Sequence, residues 1–194
     1  TIQEMMGSCF FPMAELQVFF MVHGEPSSGK STILAILRDM LGEERCTATP
    51  ITTLATDFGM AQLPRSWVNM DMETKYLTLE AEQVLKQVTG GDIVSINEKY
   101  KPAYTEKLKT RMIMTCNTLP RIYDKTDGIA ERMVYIPFRV PLPKEGKRSI
   151  SEMLDTLRPE YPGILVWALR GLTRVLKRNT MRSVAFTRSE WAQL

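Results

Sequence analysis

The chain has 194 residues, of which 44% are hydrophobic and 24% charged, and its net charge is +3. This lies far from the low-hydrophobicity, high-charge range of disordered chains, and the length suits one domain with one core. So small a surplus excludes a polyacidic tail or a polybasic anchor, and any site for a polyanion must be a local patch.

Residues Gln17 to Val22 read as a short buried strand rich in Phe and Val, and the loop Gly24 to Thr32 follows at once. From Lys30 the apolar residues Ile33, Leu34, Ile36, Leu37, Met40 and Leu41 form a helical stripe that Gly42 ends. The Thr-rich stretch 47–64 is expected to mix a short strand, a helix near Ile51 to Phe58 and a loop, and Trp67 to Met72 reads as a second buried strand. Leu77, Ala81, Val84, Leu85 and Val88 lie on one face of an amphipathic helix closed by Gly90 and Gly91. Ile93 and Ile96 suggest a strand leading to a hairpin-like turn at Lys99 to Pro102. Arg111 to Cys116 and Met133 to Phe138 are two more buried strands, the last closed by Pro141 and Pro143. Beyond Ser149 the pattern is helical, with Ile164, Leu165, Ala168, Leu169, Leu172, Val175 and Leu176 on one face to about Lys177. Alternating strands and helices predict an α/β fold with a mostly parallel sheet flanked by helices.

The longest apolar runs, Val18 to Val22 and Gly163 to Leu169, are well short of the ~18 residues of a membrane span, so no membrane segment is expected. Cys9, Cys46 and Cys116 form neither a disulfide framework nor a CxxC metal motif, which fits a reducing, cytoplasmic setting. His23 is the only histidine, so a histidine-rich metal site or a Ser-His triad is not expected. The chain is read as one domain over 1–194, with a helical lead-in at 1–16, a core at 17–141 and a helical segment at 142–194. It starts at Thr1 rather than Met and is taken as a piece of a longer protein.

Gly24-Glu25-Pro26-Ser27-Ser28-Gly29-Lys30-Ser31 fits GxxxxGK[ST] without a gap, with Thr32 next, and stands between a strand and a helix. In such a phosphate loop the backbone N–H groups and the helix N-terminus face phosphate oxygens. Lys30 reaches the β- and γ-phosphates and the Ser31 hydroxyl coordinates Mg²⁺. ATP and Mg²⁺ are therefore the expected ligands. A phosphate loop also needs acids, and Asp71 and Glu73 follow the second buried strand, where period-2 alternation places them on one side. Glu73 is favoured for water and Asp71 for metal, although their D-x-E spacing leaves the division open. Asn117 ends the third strand at the sheet edge where ligands of open α/β folds bind, within reach of the γ-phosphate or the attacking water. Arg132, just before the fourth strand, can stabilise charge on the transferring phosphoryl group.

These residues resemble the ATPase of superfamily 3 helicases, in particular the primase-helicases of phages, plasmids and poxvirus-type elements. The resemblance rests on the ordered blocks GEPSSGKST, VNMDME, LKQVTGGDIVSINEKYKP, MIMTCNTLPRIYD, ERMVYIPF and PGILVWALRGLTRVL, which cover nearly the whole chain. It implies an AAA+-like P-loop NTPase that assembles as a homo-oligomer, a hexamer, and pulls single-stranded DNA through its centre, with a primase or DNA-binding domain elsewhere in the full-length chain. It further implies that Asn117 senses the γ-phosphate, that Arg132 acts across a subunit interface, and that Lys99, Tyr100 and Lys101 belong to a DNA-lining segment. Family members often carry two arginines before the last strand; here Glu131 takes the first place, so the role rests on Arg132, with Arg121 as the other candidate. Residues 86–111 hold six bases (Lys86, Lys99, Lys101, Lys107, Lys109 and Arg111) against Asp92, Glu98 and Glu106, with Tyr100 and Tyr104 among them, a composition suited to stacking beside phosphate contacts. Arg170, Arg174, Lys177 and Arg178 are expected to form only a solvated face of the last helix. Two other readings share the ATP site: an ATPase that loads or remodels proteins on DNA, and an ATP-dependent DNA-binding regulatory module.

Overall fold

The apolar runs become the middle of a five-stranded parallel sheet in the computed structural model, which describes residues 1–13, 15–124, 128–143 and 148–181. The strands are β1 (Phe19–Gly24), β2 (Cys46–Thr47), β3 (Val68–Asp71), β6 (Arg111–Cys116) and β7 (Met133–Phe138), in the spatial order β2-β3-β6-β1-β7. A separate antiparallel hairpin pairs β4 (Ile93–Ile96) with β5 (Tyr104–Lys107). The α-helices are α1 (Ile2–Phe10), α2 (Lys30–Leu41), α3 (Ile51–Leu54), α4 (Leu79–Gly90), α5 (Gly128–Arg132), α6 (Ile150–Leu157) and α7 (Tyr161–Arg178).

Parallel strands are covered on both faces and so read as continuous apolar runs, as FFMVHG and RMIMTC do. Alternate side chains feed two cores. Phe19, Met21, Met112, Met114 and Tyr135 pack with Ile51, Leu54 and the buried face of α4. Phe20, Val22, Met70, Ile113, Val134 and Ile136 pack on the other face with Met5, Leu34, Leu37, Ala168 and Val175 of α1, α2 and α7. The α/β class with helices on both faces of a mostly parallel sheet is the one expected from the sequence.

The expected boundaries shift for local reasons. The helix near 51–58 stops after Leu54, because Thr56 donates its hydroxyl to Thr53 O at 2.7 Å and Gly59 then approaches Thr53 so closely that a Cβ would lie 2.0 Å from its carbonyl oxygen. A 3-10 turn containing Pro64 follows at Gly59–Arg65. α4 starts at Leu79 rather than Leu77, since Thr78 caps it by accepting from Ala81 N at 3.2 Å. The second strand ends at Asp71 rather than Met72.

The basic stripe on α7 is more than a solvated face. Arg178 donates to the buried carboxylate of Glu4 at 2.8 Å, and Arg174 lies 3.6 Å from the same oxygen. The two helices meet backbone to backbone: a Cβ on Gly7 would lie 2.3 Å from Ala168 O, and one on Gly171 would lie 2.5 Å from Gln3 O. Forcing a methyl group into either contact costs about 1–3 kcal/mol. Gly7→Ala and Gly171→Ala are therefore each expected to lower the urea midpoint of the chain, and an unchanged midpoint in both would contradict this close seat.

Candidate functional site

The loop after β1 is built by geometry that only particular residues tolerate. Gly24 pairs with Phe138, and a Cβ there would lie 2.1 Å from Phe138 O. Gly29 has φ 95° and Ser27 φ 60°, which curl the chain into α2, whose first residue is Lys30. Leu142 N donates to Ser27 O at 2.9 Å, so the segment after β7 leans on the loop.

The buried Lys30 ammonium donates to Gly24 O at 2.5 Å, to Glu25 O at 3.0 Å and to Asn117 Oδ1 at 2.9 Å. Three oxygens thus surround the cation at the loop, and one of them comes from the end of β6, 87 residues away. Ser28 is buried, and its hydroxyl has no hydrogen-bond partner among the described residues. A glycine cradle, a lysine ringed by oxygens and an orphaned hydroxyl suit a triphosphate, which offers oxygen acceptors to each. Ser31, in the first turn of α2, is exposed and lines a cavity of about 500 Å³ together with Thr47, Met70 and Met72.

The two acids are not brought together as the alternation predicts. β3 ends at Asp71, so Glu73 lies in the following turn, where strand periodicity no longer applies. Asp71 is buried and its Oδ2 accepts from Ile51 N at 3.1 Å. Glu73 is 70% exposed, with Lys75 Nζ 3.7 Å away. Thr115, which no motif in the sequence singles out, holds this turn: its hydroxyl donates to Met72 O, and its carbonyl accepts from Thr74 N at 2.8 Å. No group of three or more His, Cys, Asp or Glu residues able to hold a metal occurs among the described residues.

His23, the residue before Gly24, faces Tyr135 of β7. Its Nδ1 lies 2.8 Å from the Tyr135 hydroxyl. Burial holds its pKa below the ordinary value of 6.5, an effect that the Lys30 charge reinforces and that a hydrogen bond to the Asn117 backbone opposes. The thiol of Cys116, beside Asn117, is pushed up to about 12 by burial and is unsuited to act as a nucleophile at neutral pH.

Arg132 lies at the other edge of the sheet. It immediately precedes Met133, which pairs with Phe19 at the start of β1, whereas Phe138 pairs with Gly24. The six residues of β7 span roughly 17 Å at the usual strand rise, which separates Arg132 from the chain's own loop. Its guanidinium donates to Lys86 O at 3.4 Å. Arg121 stacks its guanidinium 5.4 Å from the Tyr123 ring centroid.

Lys99, Tyr100 and Lys101 form the turn between β4 and β5, with Tyr100 fully exposed. Lys101 pairs with Glu98, which also accepts from the Tyr104 hydroxyl at 3.2 Å, and Lys99 Nζ lies 5.9 Å from the Phe58 ring. Two of the six bases of this region are engaged elsewhere. Arg111 is buried and donates to Leu16 O at 2.6 Å and Met13 O at 2.5 Å, and Lys86 pairs with Asp124 at 2.9 Å. Lys107 and Lys109 are exposed.

Among solved structures, the chain is similar to two apo structures of the NrS-1 C-terminal region. One superimposes with a TM-score of 0.67 at 15% identity over 94% of this chain and 47% of its own length. The other gives 0.66 at 17% identity over 87% of this chain and 39% of its own. The likeness is one of fold, and the chain spans less than half of either relative. No helix among the described residues is long and apolar enough to cross a membrane. Residues 22–132 match the model of a family of unknown function, DUF5906, and with more than half of its length matched the chain belongs to that family.

Proposed function

We propose that this chain is the ATPase motor of a superfamily 3-type DNA helicase, active as a ring that hydrolyses ATP between subunits and moves along single-stranded DNA. The observation that carries the reading is the meeting of Lys30 with Asn117 beside Gly24, which joins a phosphate-binding lysine to a polar strand end. In this reading Lys30 exchanges its protein oxygens for phosphate oxygens, and Gly24, Glu25, Pro26, Ser27, Ser28, Gly29, Ser31 and Thr32 form the cradle. Ser31 and Asp71 hold Mg²⁺, Glu73 acts on water, and Asn117 reads the γ-phosphate. Bound Mg·ATP supplies the phosphoanhydride bond whose hydrolysis drives movement. Arg132, set at the far edge of its own sheet, serves the loop of a neighbouring subunit. Lys99, Tyr100 and Lys101, at the tip of the β4–β5 hairpin, contact DNA, and a primase or DNA-binding domain occupies another part of the full-length chain.

The regulatory-module reading draws on a different observation: Asp71 is bonded to Ile51 N, and Glu73 stands in an exposed turn, an arrangement that suits slow turnover. ATPase activity stimulated by single-stranded DNA separates the motor from both the regulatory module and a protein-remodelling ATPase.

Lys30→Ala is expected to abolish hydrolysis, whereas Glu73→Gln keeps nucleotide binding and suppresses turnover, as isothermal titration and phosphate release would read. Normal hydrolysis by Glu73→Gln with loss in Asp71→Asn would reverse the roles of the two acids. Replacing Lys99 and Lys101 by Ala should weaken single-strand binding and remove roughly 0.7 from the log-log salt slope for each phosphate no longer neutralised, with basal ATPase retained. Unchanged affinity and slope would make the hairpin an ordinary solvated surface.

A further inference from the structure

β6 lies between β3 and β1, and its contact with the chain of β3 outlasts the strand. The regular ladder ends where Asp71 pairs with Met114. Thr115, the next residue of β6, then continues in another way: its hydroxyl donates to Met72 O, and its carbonyl accepts from Thr74 N at 2.8 Å. On its other side Thr115 pairs with Val22 of β1, and it is buried, so the sheet fixes it in place.

The two bonds grip the residues on either side of Glu73. The side chains of the turn add little to that hold. Glu73 and Lys75 form an exposed ion pair, a kind of contact that fixes a side chain weakly, and the buried Thr74 hydroxyl has no hydrogen-bond partner among the described residues. Asn117 comes two residues after Thr115, and its side-chain oxygen accepts from Lys30 at 2.9 Å. One short stretch of β6 therefore holds both the turn that carries Glu73 and the strand end that meets the phosphate loop.

We propose that Thr115 is the positioning residue of Glu73: by holding Met72 and Thr74 it fixes where the carboxylate stands relative to Asn117, and so makes the place of the acid a property of β6 rather than of the strand that carries it. This rests on the nucleotide reading of the site, although the tie itself can be observed without turnover. Thr115→Val keeps the shape and strand preference of the residue and removes the hydroxyl, whereas Thr115→Ser keeps the hydroxyl and weakens the strand preference. Amide hydrogen exchange at Thr74 should quicken about tenfold in Thr115→Val, as for the loss of one hydrogen bond, and stay within about threefold of wild type in Thr115→Ser, with the amides of Val68–Asp71 unchanged in both. Equal exchange at Thr74 in wild type and Thr115→Val overturns the proposal whether or not the chain hydrolyses ATP.

The second measurement is kinetic. In Thr115→Val the Mg·ATP affinity should stay within about threefold while kcat falls roughly ten- to hundredfold, as expected when a reacting group is misplaced, and Thr115→Ser should recover most of that loss. A residue that served only the sheet would rank the two variants the other way, since valine is the better strand former. On a Glu73→Gln background Thr115→Val should cost nothing further, because residues acting as one unit are not additive. Additive losses, or a normal kcat in Thr115→Val, in a chain with normal wild-type turnover would overturn the proposal and leave the motor reading intact. A wild-type chain without ATPase would strike the motor reading, and with it the role of Glu73 on which the proposal rests.

Discussion

All five strands of the main sheet run in one direction, and the placement of the candidate residues around the loop after β1 depends on that constraint. Parallel pairing brings the carboxyl ends of β1, β3, β6 and β7 to one edge, where Gly24, Asp71 and Phe138 end their strands and Asn117 follows Cys116. The amino ends, with Phe19, Val68, Arg111 and Met133, gather at the opposite edge. Hydrogen bonds between Lys30 and Asn117 are possible only because β1 and β6 are parallel neighbours. The same polarity puts Arg132 at the far edge, away from the loop after β1.

The arrangement also accounts for two buried charges. Arg111 starts β6 at the amino edge and binds the carbonyls of Met13 and Leu16, which tie the segment after α1 to the sheet. Glu4 of α1 receives Arg178 of α7. A buried charge is tolerated where it is paired; the Arg111 contacts fasten the segment after α1 to the sheet, and the Glu4–Arg178 pair joins the first and last helices to each other. Their cost is offset locally, whereas the Lys30 ammonium is held by oxygens that a phosphate can replace.

Much of this is legible in the residues. Continuous apolar runs mark the central strands because both faces are covered, and GxxxxGKS between a strand and a helix marks the loop because few other needs combine glycines with a lysine there. Legibility fails where tertiary contacts decide. The D-x-E alternation assumes that β3 continues through Glu73, but Thr115 on the neighbouring strand closes the turn after Asp71. Composition groups Arg111 with the exposed bases because charge alone does not reveal two carbonyl partners nearly a hundred residues away. The stripe on α7 reads as solvated because its acid lies on the first helix. His23 looks idle for want of histidine partners, and its partner is a tyrosine hydroxyl on the neighbouring strand.

The motor reading stands or falls on whether one subunit completes the site of the next. Two inactive proteins, Lys30→Ala and Arg132→Ala, are mixed, mixed rings are verified by tagged pull-down, and ATPase is compared with each protein alone. An arginine acting in trans contributes ~10³ to 10⁵ in rate, so interfaces that join an intact Arg132 to an intact phosphate loop should restore measurable turnover. Verified mixed rings without any recovery, or an Arg132→Ala protein with normal turnover by itself, would contradict it.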